Sequence, residues 1–413
     1  MNKKVLFIGF VWPEPNATAA GTRILQLVHF FLERQYDVSF ACAARKTDLS
    51  ANLDQLNIKT RDIELNDSSF DQYIEDLDPG IVVFDRFLTE EQYGWRIREA
   101  CPLAIRILDT EDLHFLRKAR EIAINQQSND YLSFVKNEIA KREIASIYRC
   151  DLSLIISEFE ERLLHEEFNI DRSLLLYLPF LMERKEAAFL TMLPGFSERH
   201  HFMTMGNFRH LPNWDSVLYL KQHIWPLIRK KLPKAELHIY GSYISEKVQQ
   251  LNNKNEGFII KGWVSDKSEA FKNSRVCLAP LRFGAGLKGK LIDAMLFGTP
   301  SVSTTIGAEG LKGDLAWNGF ISDDPEEMAQ HAVHLYTNET DWKTAQLNGV
   351  QLLNTNFNGE TFKENFETRI ELLTNQLSQH RDKNFTGTML AHHSLQSTKF
   401  LSKWIELKNA NAQ

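Results

Sequence analysis

Cysteine is scarce. The 413 residues include four, Cys42, Cys101, Cys150 and Cys277, spread far apart and forming no CxxC pair. Neither a zinc ribbon nor a disulfide scaffold is indicated, and the usage fits a reducing compartment. Long apolar runs are also missing: no stretch approaches the ~18 consecutive apolar residues that span a bilayer. The opening MNKKVLFIGFVWPEPN has a basic pair and a short apolar run but no small-residue cleavage site. Trp12-Pro13-Glu14-Pro15 interrupts the run early, so no secretory leader is expected. A basic excess is absent as well, with 48 Lys and Arg against 54 Asp and Glu, which argues against a nucleic-acid partner. What is present is ordinary globular material, 43% hydrophobic and 25% charged. That balance excludes disorder, collagen-like repeats and coiled coil for the whole chain, and the length fits two or three domains.

The apolar residues fall in short β-rich runs at 5–10, 38–43, 81–84, 104–108, 152–156 and 174–178. Most are near-continuous, the pattern of strands buried on both faces of a parallel sheet. Helical patterns separate them. The first, over 22–34, sets Ile24, Leu27, Val28 and Phe31 on one face. The alternation then restarts at 202–205, 236–240, 258–260, 276–279, 301–304 and 320–321. One helix is predicted over 214–232, with a kink or break at Pro226. Alternating strand and helix implies α/β domains with right-handed crossovers.

The expected organisation is therefore two doubly wound, Rossmann-like domains facing a central cleft, where ligands of such sheets bind at the C-terminal strand ends. Residues 1–182 form the first domain, 183–200 a linker marked by Pro194-Gly195, and 201–355 the second. Residues 356–380 carry a helical stripe (Phe362, Phe366, Ile370, Leu373, Leu377) expected to pack back on the first domain. Residues 381–413 read as an appendage with five basic residues against two acidic ones and one amphipathic piece near 395–407.

The most informative segment is APLRFGAGLKGKLIDAMLFGTPSVSTTIGAEGL, residues 279–311. A strand runs into a loop with Gly284, Gly286 and Gly289, and a helix opens near Lys290. Such a loop lets backbone N–H groups and a helix dipole meet a phosphate. Lys288 and Lys290 add mobile positive charge, and Asp293 stands where an acid can accept from a ribose. From local physics alone, a tight turn with solvated lysines explains the same residues. Gly21 opens the first helix, as a point of close approach to a ligand or as part of an N-cap. LDTEDLH offers Asp109, Glu111, Asp112 and His114 after a strand, as cleft residues or as caps for the next helix. His200-His201 reads as a surface pair, because no third metal ligand is evident.

This segment resembles the donor-binding region of retaining, nucleotide-sugar-dependent glycosyltransferases of the GT-B fold, family 4-like (glycosyl transferases group 1). The residues that carry the resemblance are Pro280, Gly284, Gly286, Lys290, Asp293-Ala294-Met295, Gly298, Pro300, Val302, Thr304 and Gly307-Ala308-Glu309-Gly310. Residues 203–241, with Gly206-Asn207-Phe208, Pro212-Asn213 and Trp225-Pro226, resemble the start of the same family's second domain. Ala20-Gly21 and Ile155-Ile156-Ser157-x-x-Glu160 match more loosely.

The resemblance implies a glycosyltransferase of polysaccharide biosynthesis with an acceptor-side first domain and a donor-side second domain. It would move a hexose-type sugar from a nucleotide-diphosphate sugar to a glycan or lipid-linked acceptor, with retention and without a metal or other cofactor. Donor contacts would come from Gly21, Arg209, Gly284, Gly286, Lys288, Lys290, Asp293 and Glu309, and Glu111 and Asp112 are the catalytic candidates. A cytoplasmic protein peripheral to the inner face of the membrane is expected. The chain departs from the family at Ala285, where many members have a first glutamate. It departs again at Asn207 and Asn213, the positions nearest to an Arg/Lys pair that neutralises the diphosphate. Two other readings therefore stand beside the transferase: a nucleotide-sugar 2-epimerase of the same fold, and a non-catalytic nucleotide-sugar-binding relative.

Overall fold

The computed structural model describes residues 2–411. Its first sheet comprises β1 (Lys4–Gly9), β2 (Asp37–Cys42), β3 (Lys59–Asp62), β4 (Ile81–Asp85), β5 (Ile105–Asp109), β6 (Leu152–Ile155) and β7 (Leu175–Tyr177). They are parallel, in the order β3-β2-β1-β4-β5-β6-β7. β1 and β4 to β6 are almost wholly buried, because helices cover both faces of the sheet, and hence their unbroken apolar runs. β3, KTRD, is an edge strand with no buried residue, and no apolar pattern announces it.

The second sheet holds β8 (His200–Met205), β9 (Leu237–Tyr240), β10 (Phe258–Gly262), β11 (Ser274–Ala279), β12 (Ser301–Ser303) and β13 (Gly319–Ile321). Its order is β10-β9-β8-β11-β12-β13, again parallel. The helix predicted over 214–232 divides into Leu211–Tyr219, a π-turn at Leu220–Ile224 and Trp225–Lys231. Pro226 has no N–H for the ladder, and the extra residue of the wide turn absorbs that mismatch.

The chain passes between the sheets twice, and the two passages are tied by backbone. Met182 N–H donates to Phe357 O at 2.9 Å, and Gly359 N–H to Met182 O at 2.9 Å. The helix Gly359–Lys383 then lies on the first sheet's layer. There Phe366 meets Phe30 at 4.6 Å between ring centroids, and Ile370 and Leu373 enter the same core.

Residues 381–410, expected as an appendage, are helical and packed on the first domain apart from the junction at Asn384. That helix continues to Lys383, and a second, Phe385–Ala410, packs along Arg86–Ala100 and Glu138–Arg149. Its Ala391 and Leu395 close over Trp95. Asn384 caps it by accepting from Gly387 N–H and donating to Tyr148 O at 2.7 Å. The polar pattern misled because this helix buries only a narrow stripe and otherwise docks through hydrogen bonds: Arg149 to Ser394, Arg96 to Ser402, and Ser68 N–H to Glu406.

Candidate active site

The C-terminal strand ends of the two sheets face each other across a cleft of about 640 Å³. The first domain contributes the loop after β1, Arg86 after β4, and Glu111, Asp112 and His114 after β5. The second contributes Gly206–Asn213, Gly241–Tyr243 and the loop and helix after β11.

That last loop has a shape only glycine allows at two points. Gly284 (φ +149°) and Gly286 (φ +64°) take backbone conformations L side chains rarely adopt. A Cβ on Gly286 would lie 2.8 Å from Cβ of Asp112, so the loop touches the opposite domain. The contact is fastened from behind. Gly286 N–H donates to Glu160 Oε1 at 2.7 Å, Arg120 reaches Gly284 O at 2.8 Å, and Lys288 Nζ donates to Gly286 O at 2.7 Å. The Gly286 amide is thus already engaged by a carboxylate. The helix that follows, Gly289–Leu296, begins without a side-chain cap, and its first residues, Gly289 and Lys290, line the cleft, where the positive end of a helix favours an anion.

Two ammonium groups stand there. Lys290 Nζ donates to the neutral Asn213 Oδ1 at 2.8 Å. Burial pulls its pKa down to about 8 against an opposing pull from Cys277, and Lys288 adds a smaller repulsion. Lys288 is also pulled down by burial, partly offset by Glu309 and Glu160. Contrary to its reading as mobile charge, Lys288 is only 8% exposed. Asp293 faces Lys267, with Nζ to Oδ1 at 2.8 Å, and burial raises its pKa against that ion pair. Arg209 is exposed at the cleft wall, its guanidinium 3.7 Å over the Tyr243 ring.

On the opposite wall, Glu111 is buried in a left-handed conformation (φ +62°), and its Oε1 has no hydrogen-bond partner. Burial, then repulsion from Asp109, pushes its carboxyl well above the usual range. Asp112 behaves oppositely. Burial alone would raise it, but Arg117 and His114 more than offset that and hold it well below the carboxylate range. Asp109 lies deeper, paired with Arg23 at 2.8 Å.

Eight of the ten residues expected from the sequence line this cleft: Arg209, Gly284, Gly286, Lys288, Lys290, Asp293, Glu111 and Asp112. Gly21 does not. Its N–H serves the Thr18 cap, and a Cβ there would sit 2.5 Å from the Glu14 backbone, so the glycine exists for loop packing. Glu309 is absent from the lining too, because both its oxygens are taken by Arg120, at 2.8 and 2.6 Å. Lys267, Arg86 and the Glu14–Tyr243 contact across the cleft (2.8 Å) escaped the sequence reading. No local motif marks any of them; they meet only through the domain arrangement.

Residues 199–338 match the family described as glycosyl transferases group 1. Among solved structures, HepE of Anabaena, in complex with UDP and glucose, aligns over 90% of this chain and 100% of its own, with a TM-score of 0.65 and 13% identity. Sucrose-phosphate synthase of Thermosynechococcus elongatus aligns over 90% and 98%, with a TM-score of 0.65 and 14% identity. The fold is GT-B. An uncharacterized 44.6 kDa protein in the cps region of Klebsiella pneumoniae is 25% identical over 173 residues, 39% of this chain and 45% of that protein. The chain thus matches less than half of that relative's length.

Proposed function

We propose that the chain transfers a hexose from a nucleoside-diphosphate sugar to a glycan or lipid-linked acceptor, with retention of configuration, and that the donor site works without a metal ion. The observation carrying this is the pair Lys288, buried, and Lys290, half-buried, two ammonium groups on one side of the cleft, the second hydrogen-bonded to a neutral partner. Bare, they repel each other; a diphosphate would compensate both, together with the uncapped helix terminus. Departure of the diphosphate breaks its bond to the anomeric carbon while the acceptor oxygen bonds to that carbon. The acceptor's proton leaves with the diphosphate. Charge grows on the leaving group, and fixed positive groups stabilise it there. Glu111, a desolvated carboxyl across the cleft, is assigned to the sugar side, and Asp112, neutralised by Arg117, to the wall that packs against Gly286. HepE bound to UDP and to UDP-glucose supports the donor class. Neither the epimerase nor the non-catalytic reading gains support from the family match.

A thermal-shift screen of nucleoside diphosphates and their sugars, with and without chelator, tests the donor class. Stabilisation of about 2.7 kcal/mol is expected at about 100 times the dissociation constant. A strict need for manganese or magnesium overturns the metal-free site. Isomerisation of a donor sugar without acceptor overturns the transferase reading.

Peripheral membrane contact belongs to the same proposal. On the last helix Phe400, Leu401, Trp404 and Leu407 are 56–65% exposed, and Lys403 and Lys408 lie among them. Aromatic and apolar side chains with flanking lysines suit an anionic lipid surface. Co-sedimentation with anionic but not zwitterionic vesicles, reduced by Trp404→Ala, is the expected result.

A further inference from the structure

A second set of chemistry-bearing side chains lies at the other end of the second sheet, away from the cleft. His201 is at the start of β8, Glu236 directly precedes β9, and His238 is the second residue of β9. The cleft residues Met205, Gly206 and Gly241 follow from the opposite ends of those same strands. β8 and β9 are parallel neighbours, so their starts lie side by side. His238 Nε2 is 2.8 Å from Glu236 Oε2, and His201 Nδ1 is 3.7 Å from that same oxygen. The two imidazole centroids are 4.3 Å apart, and the three ligand atoms all lie within 4.8 Å of one another.

Zinc bound by imidazole nitrogen and carboxylate oxygen at about 2.0–2.2 Å in a tetrahedron holds its ligand atoms about 3.3–3.5 Å apart. These three atoms need small side-chain shifts to reach that spacing. The surroundings are prepared in two ways. His238 Nδ1 faces the hydroxyl of the buried Tyr240 at 3.4 Å. Without an ion, Nε2–H donates to Glu236; an ion would displace that proton, and Nδ1–H donated to Tyr240 would then be the outer hydrogen bond that orients a metal-binding histidine. His201 has φ +61° within a strand, an outlier of the kind that persists where the surrounding structure imposes it. The side chains of His201 and Glu236 remain 39% and 43% exposed, which leaves an ion access and a water room to fill a fourth position.

We infer that His201, Glu236 and His238 form a binding site for one divalent transition ion of the zinc class. Two imidazoles and one carboxylate are nitrogen and oxygen donors suited to such an ion rather than to magnesium or calcium. The ion clips the first residues after the interdomain passage to the neighbouring strand, remote from the donor site. Lys261 adds an opposing positive charge and weakens the site.

Calorimetric titration of the full chain with zinc chloride tests this. Saturable binding of one ion per chain is expected, with a rise in Tm and with magnesium ineffective at the same concentration. His238→Ala and His201→Gln each weaken zinc binding at least tenfold, and Lys261→Ala tightens it. His201 and Glu236 are part-exposed, so His201→Gln and Glu236→Gln carry the test if His238→Ala fails to fold. Absence of saturable binding, equal affinity for magnesium, or equal zinc affinity in parent and folded variants overturns the site. The donor-site reading stands or falls separately, on nucleotide binding.

Discussion

Lys290 is the residue on which the functional reading can be tested most sharply. Its ammonium makes a hydrogen bond to a neutral amide, so a diphosphate would supply its first full counter-charge. Lys290→Ala should cost roughly 1.5–3 kcal/mol of diphosphate affinity, a tenfold loss or more, while nucleoside affinity barely changes. Calorimetry with both ligands checks this, and equal losses would detach Lys290 from phosphate. Its pH dependence has a definite sign. Burial holds the pKa at about 8 in the folded chain, against roughly 10.4 for an unperturbed lysine. Between those values the unfolded chain binds more protons, so this group makes stability rise with pH. Diphosphate affinity should move the other way and fall above pH 8, as the ammonium is lost. Comparing parent with Lys290→Met across pH 7–10, for both Tm and affinity, isolates the two opposing trends. Lys288, more enclosed and bonded to Gly286 O, should couple binding to loop stability: Lys288→Ala lowers Tm as well as affinity. Asp293→Asn separates two roles. If the acid only answers Lys267, stability shifts and nucleotide affinity does not. If it also grips the ribose, affinity falls, and a deoxyribose analogue loses less in the mutant than in the parent.

The terminal helix shows how a single missing side chain sets the docking of a whole element. Gly387, in its first turn, lies against Tyr148, and an added Cβ would stand 2.0 Å from that carbonyl oxygen. A backbone atom cannot yield as a flexible side chain does, so the helix would have to lift. Gly387→Ala should therefore lower stability by about 1–3 kcal/mol, as overpacking does, despite the better helix propensity of alanine. Donor binding in the distant cleft should be unchanged. A melting curve and a nucleotide titration on the same variant give both readouts, and an unaltered Tm would mean that the helix is not seated on Tyr148.

The whole molecule depends on charges joined across long stretches of chain. Asp151, buried, is shared by Arg106 and by Arg381, from opposite ends of the chain's first-domain contacts. Burial would raise its pKa, but the two guanidinium groups more than offset that and hold it well below the usual carboxylate range. A depressed carboxyl contributes stability that is present above its unfolded pKa, about 3.9, and is lost as pH falls through its folded value. Arg381→Ala should cost about 1–3 kcal/mol near pH 7, with the difference from parent shrinking below pH 4. A pH series of urea melts measures this; a pH-independent difference would assign Arg381 a packing role. Truncation after His380 removes this partner and uncovers Trp95, so it should lower Tm markedly instead of trimming a dispensable tail.

The fold class was legible in the sequence because strands buried on both faces carry continuous apolar runs, and the interval between runs is set by the crossover helices. Burial on one sheet is a local property of each run, so it survives in one dimension. β3 was illegible for the converse reason: an exposed edge strand is held by backbone hydrogen bonds, which leave no trace in side-chain type. The glycine loop with Lys288 and Lys290 was visible, since positive φ values and a helix start are local demands on residue type. Which lysine is enclosed, that Glu309 is occupied by Arg120, and that the Gly286 amide already serves Glu160 were decided by tertiary structure. The last two depend on residues more than 120 positions away, brought near by the closing of two domains. The terminal helix followed the same rule. Its few buried residues and many polar ties acquire meaning only against the surface that receives them.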